Sequence, residues 1–287
     1  MKTLFIAAIG MGLCASAAAA TTINAANKHA YGANLGWLDW RDDTNSGAVI
    51  GEYVCSGYLY AANVGWIHLG NGNPSDGIRY QNLSTNDFGV NHDGAGNLRG
   101  FAYGANIGWI HFENLGAPKV NLKDGTFSGH VYSANCGWIS LSNAVAFGQT
   151  DFLVPGLDKD GDGITDAWEL TYTNTLAAFT NTSDTDGDGV SDLDEYLADT
   201  DPTDPADKLM ITEYETKPGG TEATLTWLSK LTRCYQIEKT LTLTTPVWLD
   251  SGLEMIAPDE PSTTRMFADT NAPMRFYRVK AMKPLSP

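Results

Sequence analysis

The chain has 287 residues, 43% of them hydrophobic, and a formal net charge of −16. Sixteen acids and a single base, Lys159, lie between Asp151 and Asp207, so nearly all of that charge is local and the remaining regions are close to neutral. A surface without clustered Lys and Arg excludes the nucleic-acid backbone as a partner.

The chain opens MKTLFIAAIGMGLCASAAAA, in which Lys2 precedes an apolar run, Leu4 to Leu13, too short to cross a bilayer, and Ala18 and Ala20 form an A-x-A cleavage site. Residues 1–20 therefore predict a secretory signal peptide and an exported protein. Lipid anchoring is the weaker alternative, because Leu13 stands before Cys14 where a lipobox takes a small residue. No later apolar run reaches about eighteen residues, so no membrane span is expected. Export permits disulfides, yet Cys55, Cys136 and Cys234 are odd in number and widely spaced, which is no disulfide framework. Cys55 and Cys136 are the pair that could bridge, being in the same repeated region; otherwise each cysteine reads as a small buried apolar residue.

Residues 21–147 are built from repeats. AYGANLGWLDW (30–40), LYAANVGWIHL (59–69), AYGANIGWIHF (102–112) and VYSANCGWISL (131–141) share a core Y-x-A-N-x-G-W, with a Gly- and Asn-rich insertion, residues 70–97, between the second and third units. Asn and Gly tolerate turn angles and Tyr, Trp and Ile favour strands, so each unit reads as a turn between two short strands. Asp124-Gly125 predicts a further hairpin turn. Such units cannot bury a face alone and are expected to stack as a solenoid, a sandwich or an incomplete propeller. Trp37, Trp66, Trp109 and Trp138 recur at one place and are read as the core ladder of the stack; the alternative is an aromatic platform for sugars. His68 and His111 share one repeat position with Asp39 and Ser140, as a solvent-facing strand site would, and His29 and His130 align with Tyr58 and Phe101 at an aromatic-tolerant packing position. No zinc site is expected from them. The motif resembles the GYAWSENIGWI-type repeats of exported bacterial proteins, for which the resemblance implies no activity.

Residues 148–208 hold two copies of a twelve-residue pattern, DKDGDGITDAWE (158–169) and DTDGDGVSDLDE (184–195). Ca²⁺ is a hard ion that takes six to eight oxygens, and a loop of this length offers them from places 1, 3 and 5, the carbonyl at 7, place 9 and a bidentate Glu at 12. The expected ligands are Asp158, Asp160, Asp162, the carbonyl of Ile164, Asp166 and Glu169, then Asp184, Asp186, Asp188, the carbonyl of Val190, Asp192 and Glu195. Gly163 and Gly189 supply the sharp turn, and Ile164 and Val190 are expected to pair in a short bridge or to pack inward. Pro155 and Gly156 break any entering helix, leaving only exiting helices in AWELTYTNTLAAF and LDEYLA. These half-hands are similar to thrombospondin type 3 repeats and more loosely to dockerins, whose usual Asp at place 12 is replaced here by Glu. The ending EYLADTDPTDPADKL fits such a segment, with Asp199, Asp201 and Asp204 as candidate extra ligands.

Residues 209–287 alternate in the β manner through TLTWL, CYQIEKT, VWLDSG, RMFADT and RFYRVKA, which predicts a small β-sandwich. The segment resembles the C-terminal β-domain that follows calcium half-hands in exported proteins, the ending RFYRV above all. No G-x-S-x-G, H-E-x-x-H or P-loop is present, and the paired carboxylates are committed to calcium. The sequence thus predicts a mainly β, secreted, non-enzymatic protein, with Ca²⁺ as cofactor and a structural or adhesion role. Its partner would be an extracellular polysaccharide or cell-surface component. The alternatives are carbohydrate binding through the repeat tryptophans, and an uncharacterised polysaccharide-active enzyme or dockerin-like scaffold component.

Overall fold

The computed structural model describes residues 21–42, 44–217, 220–269 and 275–287. The expected signal peptide, residues 1–20, lies outside the described residues. The molecule is mainly β, with two short helices, α1 (Asp166–Tyr172) and α2 (Asp192–Ala198).

Each repeat folds as a β-hairpin: Ile23–Gly32 with Gly36–Asp39, Cys55–Ala61 with Gly65–Asn71, Leu98–Gly104 with Gly108–Phe112, and His130–Ser133 with Gly137–Ser140. The turns are alike, because the residue after each Asn donates its N–H three residues back, as from Leu35 to the Gly32 carbonyl at 3.1 Å. The next residue is Gly36, Gly65, Gly108 or Gly137, with φ of +79°, +81°, +70° and +78°, which only glycine adopts without strain.

The arrangement of the hairpins is neither the solenoid, the sandwich nor the propeller expected from the sequence. Successive hairpins pair side by side, and the last strand of the fourth hairpin pairs with the first strand of the first, Tyr31 opposite Ser140 and Gly32 opposite Ile139. The eight hairpin strands therefore close into an antiparallel barrel, with the short strands Val49–Ile50, Val90–His92 and Gly148–Thr150 pairing onto it from outside the ring. A ring of side-chain bonds ties the turns together at one end. Asn34, Asn63, Asn106 and Asn135 each donate from Nδ2 to a carbonyl of a neighbouring turn, those of Cys136, Leu35, Val64 and Ile107, at 3.1, 2.9, 3.0 and 3.0 Å. The repeated asparagine is thus the residue that links one unit to the next.

A barrel of eight strands is just wide enough for its own side chains. Ala30, Leu38, Leu59, Ile67, Ala102, Ile110, Val131 and Ile139 fill it, and Trp40, Leu69, Phe112 and Leu141 continue the same inward face. Strand alternation then sends the repeat tryptophans outward. Trp37, Trp66, Trp109 and Trp138 are 48, 45, 36 and 44% exposed, each in contact with the repeat tyrosine of its own hairpin at ring separations near 5 Å. The expected tryptophan core ladder is corrected accordingly: the ladder inside is aliphatic, because the second strand of each hairpin holds Trp on one face and Leu or Ile on the other, and only the smaller set fits the interior. The Asp124-Gly125 turn forms as expected, pairing Val120 with Phe127, whose ring meets Trp40 at 4.9 Å.

Cys55, Cys136 and Cys234 are free and buried, and burial pushes the Cys55 thiol up to about 12. Residues beyond 209 form two three-stranded antiparallel sheets around one core. Ala223, Leu225, Trp227 and Phe267 from one sheet face Tyr235, Ile237 and Val279 from the other, with Trp227 and Tyr235 at 5.7 Å. Among the described residues no helix is long and apolar enough to cross a membrane.

Candidate metal centre

The two acidic loops have the same backbone. In the first, Asp158 accepts from the N–H groups of Gly161 (2.7 Å) and Gly163 (3.0 Å), and Asp162 accepts from Ile164 N (2.9 Å). In the second, Asp184 accepts from Gly187 (2.8 Å) and Gly189 (3.0 Å), and Asp188 from Val190 N (2.8 Å). Both loops need glycine twice, at the fourth and sixth places, since Gly161, Gly163, Gly187 and Gly189 have φ of +78°, +95°, +78° and +92°. The fourth-place glycines were legible in the repeated DGDG but were not singled out from sequence.

This folding brings carboxylates together. Oxygens of Asp158, Asp160 and Asp162 lie within 4.8 Å of one another, and so do those of Asp184, Asp186 and Asp188. Behind each triad a helix presents a fully buried glutamate, Glu169 from α1 and Glu195 from α2. Neither Oε atom of Glu169 has a hydrogen-bond partner, nor do Oδ2 of Asp162, Oδ2 of Asp186 and Oε2 of Glu195. Burial, and then the charges of Asp160, Asp162, Asp166 and Asp158, push the Glu169 carboxyl up to about 8; burial and Asp186 push Glu195 to about 7. Buried carboxylates without donors are costly on their own, and a hard cation that accepts only oxygen ligands removes that cost. The residues present therefore fit a calcium ion at each loop.

The ninth-place acids, Asp166 and Asp192, also bond to their own loops. Asp166 accepts from Lys159 N and pairs with the Lys159 ammonium, both at 2.8 Å, while Asp192 accepts from Ser183 Oγ (2.6 Å), Thr185 N (2.9 Å) and Thr185 Oγ1 (2.9 Å). Their carboxylates hold the start of each loop against the start of its helix. Ile164 packs inward with Trp168, Phe179 and Tyr196, whereas Val190 is half-buried, and no bridge joins the two among the described residues. The first exiting helix is shorter than the apolar pattern suggests: it ends at Tyr172, where the Thr173 hydroxyl bonds the Glu169 and Thr175 carbonyls and competes with the helix.

Asp199, Asp201 and Asp204 have other partners. Asp199 accepts from Thr232 and pairs with Arg233 (3.5 Å), Asp201 accepts from Thr203 N (2.9 Å), and Asp204 accepts from Ala206 N (3.0 Å). Two features that sequence reading missed meet the loops from outside. Thr200 Oγ1 donates to Glu195 Oε1 (3.2 Å), and Lys208 approaches Asp188 Oδ2 (3.2 Å).

The loop segment touches both neighbours. On the barrel side, Tyr53 Oη meets Thr165 Oγ1 at 2.9 Å, and Gly156 N donates to Glu52 at 3.3 Å. On the other side, the buried Arg233 donates to the carbonyls of Tyr196 (2.6 Å) and Leu197 (2.8 Å), and Lys230 pairs with Asp207 (2.8 Å). Lys283 closes the triangle, pairing with Glu52 at 2.6 Å while lying over the Tyr196 ring.

Paired twelve-residue acidic loops, each with an exiting helix alone, define a class of calcium-binding half-hand. The bacterial TSP3 repeat, a calcium-binding repeat typical of extracellular proteins, matches residues 158–175 and 184–205. No curated protein and no solved structure matches the chain.

Proposed function

We propose that the protein is a secreted, non-enzymatic calcium-binding protein of structural or adhesion type, in which calcium orders the joint between the barrel and a C-terminal β-sandwich. The observation that carries this reading is the pair of buried glutamates behind the aspartate triads, Glu169 with neither carboxylate oxygen hydrogen-bonded and Glu195 with Oε2 left without a donor. Asp158, Asp160, Asp162, Asp166, Glu169 and the Ile164 carbonyl would hold one ion, and Asp184, Asp186, Asp188, Asp192, Glu195 and the Val190 carbonyl the other, the ninth-place acids acting through water. The ion would supply charge neutralisation and oxygen coordination, and the helices carrying the glutamates also carry Trp168 and Tyr196 into the joint. At extracellular calcium levels a dissociation constant of roughly 10⁻⁴ to 10⁻³ M suffices. Calorimetric titration is the test: about two ions bind, and Glu169→Gln and Glu195→Gln each lose one. Full stoichiometry in both variants would remove the glutamates from the ligand set.

The outward tryptophans favour a second reading, in which the barrel's outer face binds carbohydrate. Flat amphipathic rings left in water at four equivalent positions are suited to the apolar faces of sugars. That reading concerns what the barrel holds, and calcium concerns how the barrel is held.

A further inference from the structure

One of the four tryptophans differs from the rest in its surroundings. The insertion between the second and third repeats returns across the outside of the barrel and lays Phe88 edge-on to Trp109 at 5.1 Å, with a further contact to His68 at 5.4 Å. Phe101 and His111, from the third hairpin itself, stand beside them, Phe101 at 6.0 Å from Trp109 and 4.9 Å from His111. The result is a groove of about 390 Å³, floored by these aromatic rings and rimmed by the tip of the insertion, Asn82 to Thr85.

The insertion is seated firmly enough to keep that shape. Tyr80 is buried against the barrel, its hydroxyl donating to the Cys55 carbonyl (3.1 Å), and Gly89 lies so close to the Tyr80 ring that a Cβ there would sit 2.2 Å from it. The tip is closed by Asp87, which accepts from Ser75 N (3.2 Å), Ser75 Oγ (2.7 Å) and Gln81 N (3.1 Å), and by Asn82, which accepts from Gly89 N (3.0 Å). The groove is therefore formed before any ligand arrives, which spares the ordering cost of binding.

Its chemistry selects a class of ligand. Ser84 and Thr85 place hydroxyls at the rim that make no hydrogen bond among the described residues, and His111, held through Nδ1 by Glu113 at 2.8 Å, has no Nε2 partner among them. No Asp, Glu, Lys or Arg lines the groove, so an anionic ligand would meet no Lys or Arg counter-charge there. A purely apolar occupant would cover the polar groups of Ser84, Thr85 and His111 without bonding them. We propose that this groove is a binding site for uncharged pyranose units of a polysaccharide, a sugar ring packing on Trp109 and Phe88 and its hydroxyls bonding Ser84, Thr85 and His111. The proposal rests on the carbohydrate reading of the barrel and assigns it one site in place of four equivalent ones.

The test uses the full mature chain in calcium, by affinity electrophoresis through gels holding a β-glucan, an α-glucan, a mannan or a galactan, with a sulfated polysaccharide as control. The expected result is retardation by at least one neutral polymer, competed by its own soluble oligosaccharide, and weakened roughly tenfold by Trp109→Ala and by the exposed double change Ser84→Ala with Thr85→Val. Trp37→Ala and Trp138→Ala should bind as the parent does. The double change alters only exposed side chains, so its effect is free of misfolding. Retardation lost in Trp37→Ala or Trp138→Ala but kept in the groove variants would overturn the groove and leave the carbohydrate reading standing. Retardation by the sulfated polymer alone would overturn the uncharged ligand class, and none by any polymer would overturn both.

Discussion

At the scale of single residues, the positions that decide behaviour are buried polar groups with at least one atom left unpaired. Glu169 and Glu195 are of that kind, and the proposed ions answer them. His92 is another: it is fully buried, its Nδ1 faces the Glu52 carbonyl at 3.1 Å, and Nε2 has no partner. Burial holds its pKa below the ordinary histidine value, so the folded state keeps it neutral. The stability this provides is fully present above the unfolded value, about 6.5, and is lost as pH falls below it, because the unfolded chain then takes up a proton that the folded chain resists. In saturating calcium the melting temperature should therefore fall between about pH 7 and about pH 5, and the fall should be smaller in His92→Gln even though that variant starts lower. An equal fall in both proteins would assign the acid sensitivity to other groups.

At the scale of elements, the repeat hairpin explains why the sequence could be read for strands and misread for faces. Y-x-A-N-x-G-W marks two strands and a turn, and these form where the residues predict. A period of two states that Trp66 and Ile67 point to opposite sides; it does not state which side is the interior. That choice is made by closure, through the pairing of Gly32 with Ile139 between the first and last hairpins, a relation between distant residues that no local pattern carries. Once closure has set the diameter, the aliphatic face goes in. Ile67→Ala should accordingly cost about 2–5 kcal/mol, as for other large-to-small changes in a packed core. Trp66→Ala should cost about 1 kcal/mol, the worth of its contact with Tyr60. Chemical denaturation of the two variants measures both, and the opposite order would return the tryptophan to the core. The metal loops were more legible because their chemistry is local: ligand places and turn glycines lie within twelve residues, and the exiting helix begins inside the same stretch. What stayed hidden there, Thr200 on Glu195 and Lys208 beside Asp188, comes from outside the motif.

At the scale of the molecule, the acidic segment lies between two β-cores and is fastened to each. Tyr53 and Glu52 reach it from the barrel, Arg233 and Lys230 from the far side, and Lys283 joins the two by pairing with Glu52 while its ammonium lies over the Tyr196 ring. Almost all the net charge of the chain is concentrated in this segment, where self-repulsion works against a compact arrangement. Calcium would convert that repulsion into coordination, and the helices that carry Glu169 and Glu195 would then present Trp168, Tyr196 and the Leu197 carbonyl to fixed partners. Amide hydrogen exchange in calcium and in chelator, followed peptide by peptide, tests this most directly. The account predicts that chelation speeds exchange across residues 157–209, the loop amides of Gly161, Gly163, Gly187 and Gly189 included, and at the contacts around Arg233 and Tyr53, while the barrel interior stays protected. Exchange across residues 157–209 that is the same with and without calcium would contradict it.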